Sequence, residues 1–450
     1  MLQFLTRKTE EVRRGEMFSY ASGVFGAHMN GMFISGFILF YMTDYVKVAP
    51  VLAGILMFIP RIWDAINDPM MGIVADRTRT RFGRFRPYLG FMPFILFLIT
   101  LFLYSVPGGL TYTQKVVWTF SGYFIWGMAY TAVAIPNESL VAVVTKDEAK
   151  RAKIISLSKF ASMLGGGIPM LLVGPLAKSM GEHAFRNMAL IFGAITMITM
   201  FISFLFTRER VHVTQERVNL KKSFSMLLKN KPLLLLAAMG ILSSLIIWTS
   251  SALRMYFLKY NLGNEGLLAY FTLGMLPFNV LGFLIAPIII KKFTSIKSFI
   301  FACGFRIFFS AAFFMIGNQS IISAIIWMGL VDVSLAVEGI AIVNMIIDCV
   351  DYGEYRFGKR TEGLYFSIQS FAAKMAGSLS TLISGFALAI VGYIPEVPQS
   401  PQTLKGIFFV FSAMPGIAAV VSLLVMWMYP LKGKFLMKMR RELEERKEIA

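Results

Sequence analysis

Residues 51–75 read VLAGILMFIPRIWDAINDPMMGIVA. The stretch is apolar at both ends and long enough to cross a bilayer, which takes about 20 mostly apolar residues. Two carboxylates, Asp64 and Asp68, interrupt it. An acid at membrane depth costs roughly 2.5–3.5 kcal/mol on insertion scales, so it is a functional residue by default. A spacing of four turns a helix through about 400°, so both side chains project from nearly one face, about 6 Å apart along the axis. With Asn67 between them, that face has the oxygen donors to hold a small cation.

The rest of the chain is written in the same way. Of its 450 residues 56% are hydrophobic and 15% charged, with a mean hydropathy of +0.66. A soluble protein carries about 25% charged residues. The apolar residues form long runs rather than amphipathic stripes. They predict twelve spans, at roughly 17–42, 50–75, 87–107, 115–141, 154–178, 186–207, 232–259, 266–290, 297–317, 320–348, 361–393 and 405–430. The expected fold is an all-α membrane protein of twelve transmembrane helices. The longest polar connection, RERVHVTQERVNLKKSFSMLLKNK at 208–231, divides them six and six. This gives a six-helix half at 1–207, a linker at 208–231 read as an amphipathic surface helix, a second half at 232–430, and a solvated helical tail at 431–450. Two six-helix halves around a linker are the organisation of repeat-built transporters, with the binding site near the midplane.

The net charge of +19 raises nucleic acid as a partner, but its distribution excludes it. Basic clusters follow every second span: Arg77 to Arg86, Lys146 to Lys153, Arg208 to Lys231, Lys291 with Lys292, and Arg356 to Arg360. The intervening connections are nearly free of them. This is the positive-inside pattern, and it predicts both termini in the cytoplasm and a multi-pass plasma-membrane protein. The lipid bilayer is the expected partner, and no obligate protein partner is evident. The opening MLQFLTRKTEEVRRGE is too charged to read as a cleavable signal. Cys303 and Cys349 read as buried small hydrophobes. His28, His183 and His212 have no metal-ligand spacing, which argues against a zinc enzyme, and no cofactor is implied. Gly165, Gly166, Gly167 and Pro169 interrupt the fifth span. Pro60 and Pro136 lie in the second and fourth, where such residues permit close contact or a bend.

The connection after the second span, GIVADRTRTRFGRFRP at 72–87, resembles the loop signature of the major facilitator superfamily. Asp76, Arg77 and Arg84 are its carboxylate and guanidiniums, a set able to latch one conformation. Asp348 near the end of the tenth span, with Arg356 or Arg360, reads as a second gate. The longer segment RIWDAINDPMMGIVADRTRTRFGRFRPYL closely resembles the diagnostic span of the glycoside–pentoside–hexuronide:cation symporter family. SYASGVFG at 19–26, IWGMAYTAVAIP at 125–136, DCVDYGEYRFGKRTEGLYFSIQSFAAK at 348–374 and GYIPEVPQSPQTLKGI at 392–407 extend the resemblance over nearly the whole chain.

The resemblance implies a major facilitator fold and a transporter, not an enzyme. It implies symport of a sugar or glycoside with Na+ or H+ by alternating access. It places the coupling cation on Asp64, Asn67, Asp68 and Thr131. Elementary chemistry agrees: hard cations prefer carboxylate, amide and hydroxyl oxygens, and two close acids can share one proton. The family's sugar-binding positions fall on His28 and Ala134, where a family member has acids, and on Glu138, Lys159 and Lys374. Glu138, one turn past Ala134, is able to replace a missing acid, and Trp126 and Tyr130 to stack on a pyranose ring. Lys159, Arg254 and Lys374 leave a basic bias that favours an anionic, uronide-type sugar over a neutral oligosaccharide or pentoside. A sugar sensor without transport would call for a soluble signalling domain. An enzyme acting on lipid-linked sugars would call for a catalytic constellation at the interface. The sequence offers neither.

Overall fold

The computed structural model describes residues 12–145, 147–210, 229–317, 320–357, 362–395 and 397–449. Helices account for nearly all of it. In chain order they are α1 (Arg14–Phe40, continued by a π-helical turn Tyr41–Tyr45), α2 (Pro50–Arg77), α3 (Arg86–Leu103), α4 (Tyr112–Val144), α5 (Glu148–Met180), α6 (Ala184–Phe206) and α7 (Lys231–Ala252, continued by a second π turn Phe257–Asn261). One long element, Leu267–Ile316, is two helices broken at Thr294, whose φ of 64° and ψ of 158° are not helical. The part before Thr294 is α8 and the part after it α9. Then come α10 (Ile321–Phe357), α11 (Glu362–Ile390), α12 (Pro401–Ser412 and Met414–Trp427, meeting at 45°) and α13 (Gly433–Ile449). Twelve of these match the twelve predicted spans in order, and the all-α fold is borne out.

Apolarity alone counts fewer spans. Among the described residues seven helical stretches are long and apolar enough to cross a membrane, or eight with the bent α12. Two of the seven hold two helices each: Lys153–Phe206 contains most of α5 and all of α6, and Leu267–Ile316 contains α8 and α9. α2 is not among them.

Local chemistry fixes the helix starts. Thr111 and Gln114 form a reciprocal capping box at α4, satisfying two backbone donors. Asp147 caps α5 by accepting from Lys150 N. Asn230 caps α7 and also donates to Cys349 O, which ties α7 to α10. The linker residues 211–228, read from sequence as a surface helix, lie outside the described residues.

The chain forms two compact units. The first comprises Met1–Gln215 with two short segments from later in the chain, Asn264–Ala269 and Tyr393–Val397. Inside it α1 packs against α5 and α6, and α3 against α4. The triple glycine does not interrupt α5: the helix runs through it, and Gly165 lets the α1 backbone approach at Phe25 O, where any Cβ would collide. Rings of Phe33, Tyr41, Tyr104 and Phe185 close one end, with Tyr41 and Tyr104 centroids 4.6 Å apart. The two late segments are each entered through a left-handed glycine, Gly263 (φ 69°) and Gly392 (φ 75°). Asn264 there accepts from Lys178 on α5. Tyr393 donates its hydroxyl to Asp44, a fully buried acid in the π turn.

The second unit comprises Glu216–Gly263, Tyr270–Gly392 and Pro398–Ala450. Its core gathers Met239, Phe299, Cys303, Met345, Cys349 and Tyr429. The tail helix α13 departs from the solvated reading. Its outward face carries the expected pairs, Lys438–Glu442 at 3.7 Å and Arg441–Glu445 at 3.0 Å. Its other face buries Met439 and Leu443 in that core. Both cysteines are free and buried.

Candidate cation and sugar site

One acid of the opening stretch, Asp68, meets a hydroxyl from α4. Thr131 Oγ1 donates to Asp68 Oδ1 at 2.9 Å. One turn earlier on α2, Asp64 lies 3.2 Å from where a Cβ would stand at Gly127, so the glycine admits the carboxylate against α4. Arg61 Nη1 is 3.7 Å from Asp64 Oδ2, and the same guanidinium faces the buried Tyr123 hydroxyl. Asn67, half-buried on the same helix, has no hydrogen-bond partner for its Nδ2 among the described residues. Rotating that amide by 180° exchanges oxygen for nitrogen with no change of shape, so it can present either to a ligand. The set is two carboxylates, one hydroxyl and one carboxamide, all hard oxygen donors of the kind that suits an alkali cation or a proton. Among the described residues no three His, Cys, Asp or Glu side chains converge as a transition-metal site would require.

The aromatic stretch of α4 is more enclosed than the sequence implies. Trp126 is 2% exposed. Its Nε1 donates to Asn30 Oδ1 at 2.9 Å, and Asn30 Nδ2 in turn donates to Thr100 Oγ1 at 3.2 Å. The indole therefore knits α4 to α1 and, through Asn30, to α3. It stacks between Tyr123 and Tyr130, at 5.7 and 5.0 Å. Tyr130 is half-buried and leans on Gly31 of α1, whose Cβ would stand 2.5 Å from the phenol oxygen. Stacking a sugar on Trp126 would need that packing to open. His28 Nδ1 bonds to Val24 O of its own helix at 3.0 Å. Ala134 is half-buried, while Glu138 and Lys159 are exposed. Glu138 lies within electrostatic reach of Tyr20 and Tyr130.

In the second unit Arg254 stands over the Phe271 ring, 5.0 Å from its centroid, and within the field of Asp332 on α10. Asp332 accepts from Asn279 Nδ2 of α8 at 3.4 Å. The field of Asp332 offsets part of the basic bias read from sequence. The Lys374 side chain lies outside the described ones. Sequence reading also passed over Arg306, which is wholly buried on α9 and meets Glu338 of α10 at 2.7 Å. An arginine in the middle of an apolar run was the available signal.

The expected latch has other partners than those named. The arginine-rich turn is organised by Glu209, whose carboxylate accepts the backbone N–H groups of Arg84 (2.8 Å), Phe85 (2.7 Å) and Arg86 (3.0 Å). It thereby caps the start of α3. Gly83, at φ 116°, leaves the space Glu209 occupies. Beside it Glu16 binds Arg210 through two bonds, at 2.6 and 2.7 Å. Arg86 donates to Phe204 O at the end of α6. Arg84 lies over Phe85, and Arg77 is exposed. Asp76 is half-buried. Asp348 is buried, Arg356 donates to Tyr352 OH at 2.8 Å, and Arg360 lies outside the described residues.

Helices long and apolar enough to cross a membrane, with carboxylate, hydroxyl and amide oxygens held among them, mark an integral membrane protein. The sequence matches the family described as MFS/sugar transport protein over residues 19–433, and the chain belongs to that family. It is 30% identical to the uncharacterized symporter YjmB of Bacillus subtilis (strain 168), over 91% of this chain and 90% of that protein. It is 30% identical to the isoprimeverose transporter of Lactiplantibacillus pentosus, over 96% and 91%. It is 27% identical to the glucuronide carrier protein homolog of Escherichia coli (strain K12), over 92% of each. These relatives bear out the resemblance read from the motifs. Among solved structures, an inward-facing bacterial homologue of the human lysosomal transporter Spinster superposes with a TM-score of 0.69 at 13% identity, covering 93% of this chain and 97% of that one. A D-xylose–proton symporter superposes with a TM-score of 0.60 at 12% identity, covering 92% and 97%. Both support the fold alone.

Proposed function

We propose that this protein couples the inward movement of Na+ or H+ to the uptake of a sugar or glycoside across the cytoplasmic membrane, with both termini inside. The observation that carries the reading is the Thr131–Asp68 hydrogen bond, which joins a hydroxyl of α4 to the acid pair of α2. A monovalent cation bound there, together with the Arg61 guanidinium 3.7 Å from Asp64, balances the two carboxylate charges and lowers the cost of burying them. That favours the conformation in which sugar binds, and by linkage sugar tightens cation binding by the same factor. The loaded protein then rocks from outward to inward facing. The arginine-rich turn capped by Glu209, with Asp76, Arg77 and Arg84, serves as the latch.

The names of the relatives cover both kinds of sugar, isoprimeverose and a glucuronide. Lys159, Arg254 and Lys374 support an anionic substrate. The field of Asp332 on Arg254 supports a neutral one, because it offsets part of the guanidinium charge. Uptake into right-side-out vesicles tests the coupling. Wild-type protein accumulates sugar against its gradient when Na+ or H+ flows inward, and Asp68→Cys protein does not, while counterflow, which needs no ion gradient, survives. Accumulation by Asp68→Cys equal to wild type would falsify the mechanism.

A further inference from the structure

Two arginine–acid pairs lie inside the second unit, and they are built differently. Arg306 and Glu338 are in direct ionic contact and both buried, with Arg306 nitrogens that also lack a well-aligned hydrogen bond among the described residues. Arg254 and Asp332 are not in such contact. Asp332 and Asn279, its hydrogen-bond partner, are half-buried, as is Arg254. Arg254 makes no hydrogen bond or ion-pair contact with any described residue. Its Nε is buried without a partner, and its contacts are the Phe271 ring and the field of Asp332. A guanidinium offers five N–H donors in a fixed fork. Leaving the buried Nε unmet at membrane depth is expensive, and polar groups there face a water-filled path rather than lipid.

These groups have a definite chemistry. Asp332 is a carboxylate that accepts and Arg254 a guanidinium that donates within its field, with the Asn279 carboxamide bonded to the first and the Phe271 ring under the second. A hydroxyl group both donates and accepts, so it can bridge Asp332 and Arg254 at once. A carboxylate ligand would gain Arg254 but would be repelled by Asp332. We infer that Arg254, Asn279 and Asp332 form a hydroxyl-binding subsite for a neutral sugar ring. The subsite, built from Arg254 just beyond α7, Asn279 of α8 and Asp332 of α10, supplies an acidic grip on sugar hydroxyls within the second unit. This rests on the transport reading above.

Purified full-length protein tests it, with isoprimeverose and methyl β-D-glucuronide as probes and calorimetric Kd and ligand-free Tm as readouts. Asp332→Asn and Arg254→Gln should each weaken isoprimeverose binding by about tenfold or more, and Asn279→Ala by less, with Tm changed little. A merely structural role would lower Tm and leave Kd alone, and that result overturns the subsite. So does loss of glucuronide binding alone in Arg254→Gln, which would make Arg254 an anion site. Should Asp332→Asn fail to fold, Asn279→Ala decides: unchanged affinity in it counts against the subsite. Wild-type protein that binds neither probe nor any other sugar would overturn the transport reading itself, a result distinct from all of these.

Discussion

Thr131 on α4 donates a 2.9 Å hydrogen bond to Asp68 on α2, and this bond crosses between two helices that the sequence separates by 63 residues. A hydrogen bond to a charged group contributes about 1.5–3 kcal/mol. Thr131→Val keeps the shape and removes the donor. It should raise the Na+ or H+ concentration for half-maximal uptake by roughly ten- to a hundredfold. Wild-type cation dependence in that variant would remove Thr131 from the site.

The same acids can take Na+ or a proton but not both fully. Protons therefore compete with Na+, and the half-saturating Na+ concentration should rise as pH falls. Uptake titrated with Na+ at several pH values reads this directly. A Na+ requirement that ignores pH would mean that the carboxylates stay ionised throughout, and an absent Na+ response would leave the proton as the coupling ion.

Arg306 and Glu338 should behave as a closed pair. Removing one partner of a buried ion pair costs about 3–5 kcal/mol, while replacing both with apolar groups of similar volume is often neutral. Arg306→Met and Glu338→Met should each lower Tm sharply, and the double variant should recover most of the loss. Additive losses in the double variant would show that the pair is not the coupled unit described.

Trp126→Phe keeps an aromatic ring in place but strands Asn30 Oδ1, a fully buried acceptor. An orphaned buried polar atom costs about 1–3 kcal/mol. Thermal unfolding should register that loss. If sugar affinity falls instead while Tm holds, the indole is a substrate platform after all.

Gly83→Ala should disturb the turn twice. The residue sits at φ 116°, and its new Cβ would stand 2.5 Å from the Glu209 carboxylate. Strain of this kind costs roughly 1–3 kcal/mol. The variant should unfold at lower temperature and show faster hydrogen exchange at the amides of Arg84 and Phe85. Protection equal to wild type at those amides would dissociate Gly83 from the Glu209 cap.

What was legible in the sequence followed from burial alone. Long apolar runs gave the twelve helices in order, and acids inside one of them pointed to Asp64 and Asp68. The break at Thr294 falls within the predicted gap between the eighth and ninth spans. What was illegible depends on partners far along the chain. Glu209 binds backbone amides 123 to 125 residues away, and amides carry no side-chain signature. Trp126 reads as a sugar platform, and nothing in the sequence says that Asn30, 96 residues earlier, also takes its N–H. Arg254 looked like an uncompensated cation because Asp332 is on another helix. The tail looked solvated because its charges hide the two apolar side chains that anchor it.

The pairing of Tyr393 with Asp44 spans 349 residues of chain. The first unit is therefore finished by a segment that the ribosome makes near the end. While α2 to α11 are being inserted, the buried acid of the π turn has yet to meet its tyrosine. Assembly of the first half cannot be complete before the second half is nearly synthesised. A truncation just before Tyr393 should accordingly disturb Asp44 at the opposite end of the sequence, as a defect in membrane biogenesis rather than in transport.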